Sequence, residues 1–180
     1  MSRLLPRVHA SWDEADEAFQ SFVDAFPERR VQLRERLEAT GGPELDGTAA
    51  SLDALNEWFI RIAFEDQDDG MDWWPTWKEP YDPQRIAEAL VPVSPPHLLR
   101  LWELVAIYLA DLCLAETEDA RWVCWRGDMR HDANNAFPLI DQGFKRPPAI
   151  PLAWATRTYY ARTSTEASKK GRHMPQIPSD

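Results

Sequence analysis

Apolar residues recur at helical spacing through the first third of the chain. Ser11 and Glu14 form a capping box ahead of Ala15, Ala18, Phe19, Phe22, Val23 and Phe26, which predicts a first helix with one apolar stripe. Phe26-Pro27 breaks the phase, and Glu28 to Thr40 reads as a second, highly charged helix with Val31, Leu33 and Leu37 as its apolar face, stopped by Gly41-Gly42-Pro43. Ser51 is the expected cap of a third helix that buries Leu52, Leu55, Trp58, Phe59, Ile62 and Ala63. From Glu65 to Tyr81 the pattern gives way to an acidic run followed by tryptophans and prolines, the signature of a long irregular connection.

Asp82 with Pro83 opens a short helix through Ile86, Ala87 and Leu90. Ser94 with Pro95-Pro96 opens a longer one, His97 to Glu116, which is apolar nearly all round and is therefore the element the others pack around. Arg121 to Arg126 reads as a buried strand. Ala136 to Ile140 reads as a second, at an edge because Pro138 has no N–H for a ladder. Pro151 starts a last helix with Leu152, Trp154, Ala155 and Tyr159. The expected fold is α+β and predominantly α-helical, with five to six helices around a central apolar helix and a small antiparallel sheet in the C-terminal half. Residues 1–162 form a single globular domain and 163–180 a polar, partly basic tail with Lys169, Lys170 and Arg172.

Charge narrows the class of partner. The chain has 180 residues and a net charge of -10, with twenty acids against nine bases in residues 1–90 and ten against eleven in residues 91–180. An acidic field of this size argues against nucleic acid or an anionic membrane and for a basic protein partner. The most apolar stretch, Leu98 to Ala115, is interrupted by Arg100, Glu103 and Asp111, which makes it a core helix and not a membrane span. Met1 to Ala10 lacks the apolar core of a signal peptide, and the two cysteines, Cys113 and Cys124, read as buried thiols of a reducing compartment, so a cytoplasmic location is expected. Arginine outnumbers lysine 16 to 4, a compositional leaning toward a bacterial source.

The chemistry-bearing positions concentrate in one loop. EDQDDGMD carries Glu65, Asp66, Asp68, Asp69 and Asp72, and MDWWPTWKEPY adds Trp73, Trp74, Trp77 and Tyr81. Carboxylates beside large aromatic rings suit a surface that binds a basic protein, because Trp and Tyr anchor interfaces at low entropic cost. The same rings suit stacking on a small planar ligand or sugar, or plugging the core as a lid; ring exposure decides. Aligned on Gly70, the run does not follow calcium-loop grammar, since the closing acid falls on Thr76.

Other constellations are sparser. Cys124 with His131 and Asp132 has the residue types of a thiol nucleophile, base and orienting acid, but Trp122 and Trp125 flank the cysteine and point to a packed, protonated thiol. His97 with His131-Asp132 resembles the H…HD ligand pattern of helical metal-dependent phosphohydrolases, the alternative enzymatic reading, although here the pair sits in the loop GDMRHDANN. Asp111 is the ionisable group expected to be substantially buried, with Arg121 or Arg126 as partner. No phosphate-binding glycine loop, paired CxxC or HExxH occurs, and no cofactor is expected.

The stretch Trp102 to Val123, WELVAIYLADLCLAETEDARWV, resembles a helix-turn-strand element of small uncharacterised actinobacterial proteins and of some immunity-type proteins. In these a Tyr-Leu-small-acid step runs through a short turn into a Trp-led strand. Here the step is Tyr108-Leu109-Ala110-Asp111, a departure from the usual Gly-Glu pair, and the strand leader is Trp122, with Asn135, Pro138 and Leu139 continuing the pattern. The element is a packing motif and transfers no catalytic residue. The resemblance implies a small bacterial protein of immunity type; together with the acidic field and the aromatic anchors, the expected function is an immunity or antitoxin protein that binds and blocks a basic partner through the loop acids and tryptophans.

Overall fold

The Ser11 hydroxyl accepts the Glu14 N–H at 3.2 Å and starts α1, Trp12–Asp24, as the capping box predicts. The computed structural model describes residues 11–65, 70–75, 77, 95–126, 135–143, 149–158 and 161. The short helix expected from Asp82 and the basic tail lie outside the described residues. About 65% of the described residues are helical, and a two-stranded antiparallel sheet lies in the C-terminal half, so the chain is α+β and mostly helical.

Helix α2, Phe26–Ala39, starts two residues before the expected point, because Pro27 falls in its first turn, where a missing N–H costs nothing. Its buried residues are Phe26, Arg29, Leu33, Arg36 and Leu37. Val31, expected on the apolar face, is 41% exposed. Residues two apart on a helix point to different sides, so Val31 and Leu33 cannot share a face, and Arg29 and Arg36 occupy the inner positions instead. The helix ends in a Schellman turn: Gly41 takes φ +65, and the Gly42 N–H reaches back to the Leu37 carbonyl at 2.7 Å. A Cβ on Gly42 would lie 2.3 Å from Leu37 Cδ2.

Helix α3, Ala49–Glu65, is capped by Thr48 and not by Ser51. The Thr48 hydroxyl accepts the Ser51 N–H at 3.2 Å while donating to Asp46 at 2.7 Å, and Ser51 is buried, with its own hydroxyl bonded to the Thr48 carbonyl. Leu55, Trp58, Phe59, Ile62 and Ala63 are buried along its inner face. Helix α4, Pro96–Glu116, is the predicted central element: every residue from Leu98 to Ile107 is buried, including Arg100 and Glu103. From Tyr108 on it is more open. No helix among the described residues is long and apolar enough to cross a membrane.

Strands β1, Arg121–Cys124, and β2, Pro138–Asp141, pair antiparallel with Arg121 opposite Asp141 and Cys124 opposite Pro138. Beyond β1, Trp125 continues the contact by bonding the Phe137 carbonyl and the Ala136 N–H. Ile140 bonds Ala149 on the far side of β2, so residues 138 and 140 turn their backbone away from β1, and the missing N–H of Pro138 falls on that outer side. The sheet packs on α1 through Trp122, whose ring centroid is 5.3 Å from those of both Phe22 and Phe26. Residues 151–158 form α5, burying Leu152 and Ala155, and the Trp154 ring lies 5.9 Å from that of Phe59.

Candidate functional site

Burial decides the place of the aromatic loop. Trp77 is 5% exposed and belongs to the core, edge-on to Phe137 at 5.9 Å. Met71, Trp73 and Trp74 are half-buried against the same core, and Pro75 is buried. Trp77 therefore plugs the core and is corrected from an exposed partner anchor to a packing residue, while Trp73 and Trp74 keep part of their surface open. Of the acidic positions, Glu65 is the last residue of α3, Asp72 is exposed, and Asp66, Asp68 and Asp69 lie outside the described residues.

What pins the loop is a buried ionic cluster. Glu103, 2% exposed on the inner face of α4, accepts the Arg29 Nε–H on one carboxylate oxygen at 3.2 Å and the Trp77 indole N–H on the other at 2.8 Å. The Arg29 guanidinium lies 3.5 Å from the centre of the Trp73 ring, and Arg100 donates to the Trp73 carbonyl at 3.1 Å. Two helices thus supply charged groups that hold one loop through an indole N–H, an aromatic face and a backbone carbonyl. A carboxylate this deep is tolerable only with such partners, since desolvation of an unpaired charge costs several kcal/mol, on the order of the whole stability of a domain.

Burial pushes the Glu103 carboxyl up from 4.5 to about 6, against the Trp77 hydrogen bond and Arg29, which pull it down. The folded chain therefore binds this proton more tightly than the unfolded chain. The resulting stabilisation is fully present below pH 4.5 and is lost as pH rises through about 6. For a shift of this size it amounts to about 2 kcal/mol. Glu103→Gln removes the titration, so the difference in unfolding free energy between wild type and variant should change by that amount between pH 4 and 7; a difference that stays constant contradicts the assignment.

The acid singled out by sequence pattern sits elsewhere. Asp111 is only half-buried, on the open half of α4, and pairs with Arg30 through two hydrogen bonds of 2.7 Å. The expected partners are engaged differently: Arg121 bonds Asp141 at 3.0 Å across the sheet, and Arg126 bonds Asp16 of α1. Glu103 was visible in the sequence as an interruption of the apolar run. The signal that marks it is its position in the middle of that run, where all faces are covered, whereas Asp111 lies on the more open half of the helix.

Of the catalytic and metal candidates, Cys124 and His97 fall among the described residues. Burial first, and Asp16 second, push the Cys124 thiol up to about 11, and its Sγ faces the Ala15 carbonyl at 3.8 Å. Burial and then Glu116 also raise the Cys113 thiol. His97 is half-buried in the first turn of α4, and His131 and Asp132 lie outside the described residues. Among the described residues no three His, Cys, Asp or Glu side chains converge to hold a metal ion. At pH 8 iodoacetamide should label Cys124 roughly two orders of magnitude more slowly than free glutathione, because the thiolate is the reactive form. Peptide mass mapping checks this, and labelling at the glutathione rate would contradict the raised thiol.

No family model matches the chain, and no curated protein or solved structure is detectably similar to it. Its function is therefore argued from its own residues.

Proposed function

We propose that this is a small acidic interaction protein, of bacterial immunity or antitoxin type, that binds and blocks a basic protein. The observation that carries the reading is how the acidic run is held. It begins at Glu65, the end of α3, and closes at exposed Asp72, beside half-buried Trp73 and Trp74 in the loop that Glu103, Arg29 and Arg100 fasten to the core. Asp72, held beside the fastened tryptophans, loses little entropy on binding, and a net charge of -10 steers a basic partner toward the loop. Trp74 is the aromatic anchor in this reading. Trp73 and Trp77 act from behind by holding the loop. The partner-binding set is Glu65, Asp66, Asp68, Asp69 and Asp72 with Trp74. Free Cys113 and Cys124 suit the reducing cytoplasm.

The test is affinity capture from native lysate of the source cell at low and at high salt. A basic protein retained at low salt and shed at high salt is the expected result, weakened when the loop acids are changed to their amides. Retention of nothing at either salt, or of a partner indifferent to salt, overturns the proposal.

A further inference from the structure

Away from the aromatic loop, α3 and α5 enclose an open trough of about 560 Å³ lined by Leu52, Asp53, Asn56, Ile60, Trp154 and Thr158. Leu52, Asn56 and Ile60 follow one another at four-residue spacing, so they form a single ridge about 12 Å long. Trp154 supplies the opposite wall. Phe64, one turn beyond Ile60 on the same helix, is 46% exposed. Asp53 and Glu57 stand one turn apart on α3, both exposed and both without an ion-pair or hydrogen-bond partner among the described residues. The Asn56 amide and the Thr158 hydroxyl are equally uncommitted there. An apolar floor with a few unsatisfied polar groups converging on it is the composition of a binding groove.

The rim is asymmetric. Its α3 side carries Asp53, with Glu57 one turn further along the same face of the helix, and the α5 side presents Trp154 and Thr158. We infer that this trough docks an amphipathic helical segment of the basic partner, laying apolar residues at four-residue spacing on Leu52, Ile60 and Trp154 and directing lysine or arginine side chains to Asp53 and Glu57. The inference rests on the reading of the chain as a binder of a basic protein and adds a second contact site. Apolar side chains supply the burial in this mode of recognition, and the one-sided charge sets the direction in which the helix lies.

Nuclear magnetic resonance titration of the full chain with an 18-residue Leu/Lys helical peptide, leucines at four-residue spacing, tests the site. Two controls accompany it: the same peptide with glutamate for lysine, and one with serine for leucine. The inference expects shifts at the Ile60 methyls, the Asn56 side-chain amide and the Trp154 indole with the Leu/Lys peptide, at least tenfold weaker binding in the surface variant Asp53→Lys/Glu57→Lys, and little response to either control. Equal response to the glutamate peptide overturns it, as do shifts confined to the acidic loop, or none. Loss of these shifts in wild type with retention of salt-dependent capture fails the groove alone; groove shifts without any captured basic protein fail the functional reading alone. If residues 162–180 of the chain itself already fill the trough, the peptide produces no groove shifts until that segment is removed, and the inference of an external partner is overturned.

Discussion

Trp77→Ala lowers the free energy of unfolding by about 3–5 kcal/mol, the range for removing a buried aromatic side chain. Trp77 is 5% exposed and packs edge-on to Phe137, so little of the cavity can be refilled by solvent-facing neighbours. Its removal also takes the N–H from one oxygen of a carboxylate that is 2% exposed. Trp77→Phe separates the two effects: the ring largely fills the space but carries no N–H, and the expected loss is about 1–3 kcal/mol, the cost of one unmet buried acceptor. Denaturant titration measures both through the shift of the midpoint at constant slope. Full stability in Trp77→Ala would show that the ring does not sit in the core.

Arg29→Met is the second large effect. It removes the cation that faces Glu103 at 3.2 Å and leaves the carboxylate buried with one hydrogen bond from Trp77. Breaking one side of a buried ion pair costs about 3–5 kcal/mol, most of it the penalty on the charge left behind. The double variant Arg29→Met/Glu103→Leu removes both charges and should recover most of that loss, since an apolar pair of similar size carries no desolvation cost. A double-mutant cycle reads the coupling, and additive losses in the double variant would contradict a shared interaction. The Arg30–Asp111 pair is the internal control: with the two side chains 45% and 29% exposed, its loss should cost about 1 kcal/mol or less.

These contrasts explain what the sequence pattern could and could not reveal. The Ser11 cap, the Gly41-Gly42 stop and the covered helix around Val105 are local or strictly periodic signals, and the structure bears them out. Two antiparallel strands were legible from Arg121 to Arg126 and Ala136 to Ile140, but their burial was not: β1, Arg121–Cys124, has an exposed first residue and is otherwise half-buried, whereas β2, Pro138–Asp141, is the buried one. The face of α2 was not, because its inner positions hold Arg29 and Arg36, and an arginine reads as surface until the acid or ring it meets is known. Thr48 displaced Ser51 as the cap because both hydroxyl residues suit the position and only the Asp46 turn chooses between them. The aromatic loop was legible as a special segment, with partner surface and core plug both open. Its burial depends on Glu103, 26 residues from Trp77 in sequence, and on Arg29, 74 residues from Glu103.

The fastening of the aromatic loop to Glu103 is measured most directly at the Trp77 indole N–H by nuclear magnetic resonance across a pH series. A resonance shifted downfield, slow to exchange with solvent, and moving with a midpoint near 6 that disappears in Glu103→Gln is the predicted result. A fast-exchanging indole N–H at the position of free tryptophan, with no titration near that pH, would contradict it and release the loop from the core.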